Sequence, residues 1–183
     1  PNNEVAEIHS MSMELITYPW MEFFFGEKAE QYRKAHLVQA LTVIPYLVCV
    51  DEFQHKVFEN PQMDAGQRRN IWRELEREYM PWRDYDGHDF LEEGGFWMQK
   101  QHIFLFPFYY IEYSLAQMGA FEFYGKFQKD REAAWKDYYK LCSIGGNYGY
   151  FHTLEMANLS NPFADGTVKK IMAEVVKVLE NEK

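Results

Sequence analysis

LVQALTVIPYLVCV, residues 37–50, is apolar on most sides when wound as a helix, so this stretch must be buried. It forms the middle of a helical segment predicted from about Glu27 to Glu59, which Pro45 is expected to kink or split. Reading outward, Asn60-Pro61 is a stop, and Asp64 is placed to cap a helix from Ala65 to Met80. That helix mixes Arg69, Arg73, Glu74, Glu76 and Glu78, a pattern expected of a solvated surface helix. Toward the N-terminus, Val5, Ile8, Met11 and Leu15 keep three-and-four spacing, which predicts an amphipathic helix from about Asn3 to Thr17, capped by Asn2 or Asn3 and ended by Pro19. The aromatic run Trp20–Phe25 stops at Gly26.

Toward the C-terminus, Pro81–Gly95 reads as a polar loop. Pro107 suits the first turn of a helix running to about Tyr124. Further helices are predicted over Arg131–Ser143, Tyr150–Leu159 and Thr167–Leu179, separated by Gly145-Gly146 and Asn161-Pro162. No stretch alternates β-branched and polar residues as a strand would. The fold class is therefore all-α, a single region over 1–183, with about seven helices around one core.

Composition narrows the function. Lys and Arg number 19 against 28 Asp and Glu, a net charge of -9 that opposes both nucleic acid and an anionic membrane surface. The longest apolar run, Leu41–Val50, falls short of the roughly 18 residues that span a bilayer. Two isolated cysteines, Cys49 and Cys142, and the lack of a basic-then-apolar leader point to the cytoplasm. Aromatic residues make up 18% of the chain, more than a plain bundle needs, so some are expected to line a cleft. The chain begins at Pro1 with residues that already read as helix interior, which predicts that the N-terminal part of a larger protein precedes it.

Several residues have the chemistry of a site. Glu7 and Glu14 are seven apart on one helix face, and Glu4 lies a turn before Glu7. Carboxylates edging a buried face must be paired or bound to a cation, although a solvated acidic face is the commoner arrangement. Glu52-Phe53-Gln54-His55 is one Glu-x-x-His step, whereas di-iron bundles use two; a local polar network with Asp51 is the simpler reading. His102, expected in a loop, is followed by Tyr109, Tyr110 and Tyr113. If a helix begins near Pro107, Tyr110 and Tyr113 point together and, with His102, can donate hydrogen bonds to a developing oxyanion. The alternative is an aromatic core strip with satisfied hydroxyls. Gly145-Gly146 reads as a helix stop, or as a point where backbone can approach a peptide.

The longer words of the sequence resemble a known family. EVAEIHSMSMELITYPW (4–20), VDEFQHKVFENP (50–61), WRELE (72–76), QHIFLFPFYYIEYSLAQ (101–117), LCSIGG (141–146) and NPFADGTVKK (161–170) occur in order. Together they are similar to blocks in the C-terminal part of the oligoendopeptidase F family of zinc metallopeptidases, relatives of thimet oligopeptidase. The resemblance covers essentially the whole chain. It implies the helical half of an ellipsoid enclosing a channel, and hydrolysis of short, unstructured peptides by zinc-activated water. It implies that Glu7 is the third Zn2+ ligand and that Glu14 orients groups around the metal. It also implies that His102, Tyr110 and Tyr113 hold the peptide and stabilise the oxyanion, with Tyr109 the alternate if the helix register shifts by one. In that family two zinc ligands and the general base come from a His-Glu-x-x-His helix, which occurs nowhere here. The chain therefore reads as the part that follows the metal helix, inactive alone, with the N-terminal half of the same enzyme as its partner. The rival reading is a non-catalytic helical protein that keeps this half-fold to bind a peptide or partner.

Overall fold

The computed structural model describes residues 2–181. Among them are ten α-helices and no strand: α1 Asn3–Ile16, α2 Glu22–Phe25, α3 Ala29–Glu59, α4 Ala65–Tyr79, α5 Asp89–Glu92, α6 Gln101–Leu105, α7 Glu112–Lys129, α8 Arg131–Ile144, α9 Tyr150–Met156 and α10 Thr167–Asn181. Three short 3₁₀ turns, at 18–20, 26–28 and 96–99, connect them. The fold is all-α, with three more helices than the periodicity suggests, because α2, α5 and α6 are too short to show a period.

The helices form two compact units, Pro1–Gln39 with Leu115–Lys183, and Ala40–Ser114. In the first, α1 turns Val5, Ile8 and Ile16 into a core with Phe123, Tyr138, Leu141 and Leu154. The three-and-four spacing thus faces its partners as expected. Gly119 on α7 lies where a Cβ would come 3.0 Å from Ile8 Cδ1, so the absent side chain lets α1 pack close. Asn2 occupies the N-cap position of α1 but makes no side-chain capping bond. Asp130 does cap α8, accepting from the Ala133 N–H at 3.0 Å.

The second unit has an aromatic core of Tyr46, Phe53, Trp72 and Trp97, joined by Val50, Leu75 and Met80. Asp64 caps α4 in a reciprocal box with Gln67. Two expectations need correction here. Pro45 does not divide the long segment: α3 is continuous through it, with Tyr46, Leu47, Cys49 and Val50 buried just beyond. Nor is α4 a solvated surface helix. Trp72, Leu75 and Glu76 are at most 3% exposed, and Arg73 only 9%. Its buried charge is paired within the unit: Glu76 accepts from Arg73, Arg83 and Tyr85, and Arg73 also pairs with Glu92.

The hydropathy of the long segment also differs from a run-length count. Tyr18–Glu59 contains an 18-residue window of mean hydropathy 1.2, apolar and long enough to cross a membrane by composition. Isolated polar residues interrupt the run, but the average over the window stays at 1.2. Of that window, 39% is buried inside the fold.

Candidate active site

In the second unit the segment after α6 turns sharply. Phe106 precedes Pro107, which disfavours helical backbone. Phe108 then takes a left-handed conformation, φ 63°, and its N–H donates to the buried Gln54 Oε1 at 3.0 Å. No helix can run from Pro107 through that residue, so α7 begins at Glu112. Tyr109 and Tyr110 therefore lie in a turn, Tyr113 lies in the first turn of α7, and His102 sits within α6 instead of a loop.

The turn gathers all three tyrosines on the histidine. The His102 ring centre is 5.9 Å from that of Tyr109, 4.9 Å from Tyr110 and 6.2 Å from Tyr113. Tyr113 meets both of the other phenols edge-on, at 5.1 and 5.6 Å. All four side chains are half-buried. Burial pushes the Tyr110 phenol up, with the neighbouring Tyr113 adding to it, so Tyr110 keeps its proton and is a donor at neutral pH. Behind Tyr110 stands Tyr46, ring centres 5.9 Å apart. The cluster is a half-exposed set of phenolic and imidazole groups able to donate hydrogen bonds to a carbonyl oxygen.

In the other unit, Glu7 is half-buried in the middle of α1, and one of its oxygens accepts from Ser10 Oγ at 3.0 Å. Glu14, two turns on, is exposed and lies 3.2 Å from His36 Nε2. His36 Nδ1 lies 2.7 Å from the Tyr18 hydroxyl. One tautomer satisfies both contacts: Tyr18 O–H donates to Nδ1, and Nε2–H donates to Glu14. His36 escaped the sequence reading because it is 22 residues from Glu14, beyond any helical spacing. Arg33 braces the same corner, its Nη1 2.7 Å from Glu22.

Among the described residues, no three His, Cys, Asp or Glu side chains converge as a metal site. Glu7 suits one corner of a zinc site, a half-buried carboxylate held by a hydroxyl, and a tight site needs at least two further protein ligands. The Glu52–His55 step is engaged elsewhere: Tyr79 donates to Glu52, Lys56 pairs with it, and His55 lies 3.5 Å from Asp51. That is the local network the single step suggested. A pocket of about 200 Å³ beside Glu122, Lys126, Lys129 and Ser160 contains none of the expected site residues. Along its walls Ser160 pairs with Glu122 and Lys129 with Glu174, while Lys126 pairs with Asp137 outside it.

Comparison with known proteins places this geometry in context. Peptidase family M3 matches residues 2–173. Among solved structures, a protein described as an oligoendopeptidase F, from crystals grown by microfluidic seeding, shares 52% identity at a TM-score of 0.96 over 98% of this chain. PZ peptidase A with an inhibitor shares 48% over 99%, also at 0.96. A protein from Bacillus anthracis str. Ames, also described as an oligoendopeptidase F, shares 41% over 99%, at 0.83. The chain spans about a third of the length of these structures, 32%, 32% and 29% respectively. No curated protein sequence matched it.

Proposed function

The chain belongs to peptidase family M3, and from that premise we propose that it is the substrate-side part of a zinc-dependent endopeptidase acting on short, unstructured peptides. The observation that carries this reading is the convergence of Tyr109, Tyr110 and Tyr113 on His102, in a chain whose whole length follows oligoendopeptidase F structures. The cluster offers the donors that the hydrolysis of an amide requires where negative charge appears.

In this reading Glu7 supplies one carboxylate to Zn2+, and the remaining ligands and the general base come from polypeptide outside this chain. Zinc, when bound, would polarise the scissile carbonyl and lower the pKa of water. The rest is done by side chains on this chain. Ser10 orients the Glu7 carboxylate by donating to it. His36, held by Tyr18, fixes Glu14, so that Glu14 can orient groups around the metal. His102 and the phenols bind the peptide carbonyl and donate to its oxygen as charge builds. Aromatic walls with a few polar groups suit an extended peptide, and the two free thiols agree with action in the cytoplasm.

Cleavage of a quenched fluorescent peptide tests the reading. The longer polypeptide containing this chain is expected to cleave it, to stop when a chelator is added, and to resume with zinc. The 183-residue chain by itself is expected to be inert, because one carboxylate does not hold zinc. Chelator-sensitive cleavage by the isolated chain would overturn this division of roles.

A further inference from the structure

Lys100 precedes His102 by two residues and has a placement that the peptidase chemistry above does not use. Its ammonium lies 5.1 Å from the centre of the Tyr46 ring and 5.9 Å from that of Tyr110. Tyr110 is the phenol closest to His102. Lys100 is half-buried, yet it has no carboxylate or hydrogen-bond acceptor among the described residues. That is unusual in a chain with 28 acids and 19 Lys and Arg. The two other half-buried lysines, Lys56 and Lys126, both find an acidic partner.

The neighbouring cation shows the contrast. Arg83 lies over the same Tyr46 ring at 5.4 Å, but it is committed to Glu76, which accepts from it at 3.4 Å. Lys100 receives only ring faces. A ring quadrupole compensates part of the lost hydration of an ammonium and leaves its N–H donors without acceptors. Burial, followed by repulsion from Arg83, pulls the Lys100 ammonium below the usual lysine range. An arriving anion reverses both penalties. The hydroxyl of the Tyr46 ring that Lys100 faces is buried and likewise unpartnered. A half-buried ammonium without an acceptor beside Tyr110 is a poor way to stabilise a fold and a good way to receive an acceptor-rich group.

We infer that Lys100 is the anion anchor of the substrate-side cluster, pairing with a carboxylate of the bound peptide and setting its position against His102 and Tyr110. The inference rests on the peptide-binding reading of that cluster and adds a substrate class: peptides that carry a carboxylate close to the point of binding. That carboxylate is either the C-terminus of the peptide or an acidic side chain. Both present the same chemistry to the ammonium.

The test is peptide binding to the 183-residue chain, followed by NMR of Lys100 and the tyrosine rings. N-acetylated tripeptides are compared as free acid and C-terminal amide, and amidated tripeptides are compared with Glu or Gln at the centre. The acid of at least one pair is expected to bind about 10-fold tighter than its neutral counterpart. The pair that shows the difference identifies the source of the carboxylate. Lys100→Met should abolish the discrimination and Lys100→Arg should retain most of it, with unchanged spectra elsewhere reporting an intact fold. Equal binding of acid and neutral peptides, or discrimination that survives in Lys100→Met, overturns the anchor and leaves peptide binding standing. No binding of any of these peptides overturns the anchor together with the peptide-binding reading beneath it.

Discussion

Tyr113 stands at the first turn of α7 with its ring edge-on to both neighbouring phenols, so its hydroxyl can be removed without disturbing the packing of its ring. On the proposed reading, Tyr113→Phe in the complete enzyme lowers kcat by roughly 10²–10³-fold with little change in KM, because the lost donor serves charge present only in the transition state. Steady-state kinetics on a short peptide measure this. A raised KM with unchanged kcat would make Tyr113 a ground-state contact. The two cysteines separate just as clearly. Cys142 is exposed, whereas Cys49 is 0% exposed, its thiol pushed up to about 12 by burial and then by the charge of Glu76. A thiol-specific disulfide reagent is expected to titrate one thiol per native chain at neutral pH and two in denaturant. Two fast native thiols would contradict the burial of Cys49. At this scale the residues inside one continuous motif were legible as a group, but not their arrangement: His102, Tyr110 and Tyr113 meet through a turn and not through the helix their spacing predicted, and Tyr109, expected only as an alternate, lies beside them. Lys100 and His36 were not, because their significance depends on rings and carboxylates brought from elsewhere in the chain.

At the scale of elements, α3 and α4 are fastened by Tyr79 donating to Glu52. The bond to Tyr79 holds the Glu52 carboxyl below its ordinary value, and the bond to Glu52 holds the Tyr79 phenol up to about 12. Glu52's share of the stability is present above the ordinary carboxylate pKa and is lost as pH falls through its lowered value. Tyr79's share is present below the ordinary phenol pKa of about 10 and is lost as pH rises through about 12. Tyr79→Phe should therefore cost about 1 kcal/mol near neutral pH, a modest figure because the Glu52 side chain is 35% exposed. Denaturant unfolding across pH should show the gap to wild type closing at both the acid and the alkaline end. A pH-independent gap would mean that the ring, and not the bond, is responsible. The long helices were readable, α1 from its periodicity and α4 from its Asp64 cap. The segment around Pro107 was not. Proline there permits a helix start, and only the left-handed Phe108, held by Gln54 from 54 residues away, forbids it. Helix α4 misled for a related reason: its charges look solvated until Arg83, Tyr85 and Glu92 arrive to bury them.

For the whole molecule, helical periodicity carried the all-α class, and the family was legible because EIHSMSMEL and HIFLFPFYYIEY are long, specific words. The division into two units was not visible, since its boundaries fall inside α3 and α7, where no linker composition marks them. The central claim is that Glu7 gives this chain's one ligand to a zinc site completed from outside it. The most direct measurement is zinc content, by emission spectroscopy after dialysis, of the longer polypeptide and its Glu7→Gln variant, with circular dichroism confirming that both are folded. The account predicts close to one zinc per chain in the wild type and a large loss in the variant, since an amide oxygen is a far weaker zinc ligand than a carboxylate. Full zinc occupancy in folded Glu7→Gln would contradict it.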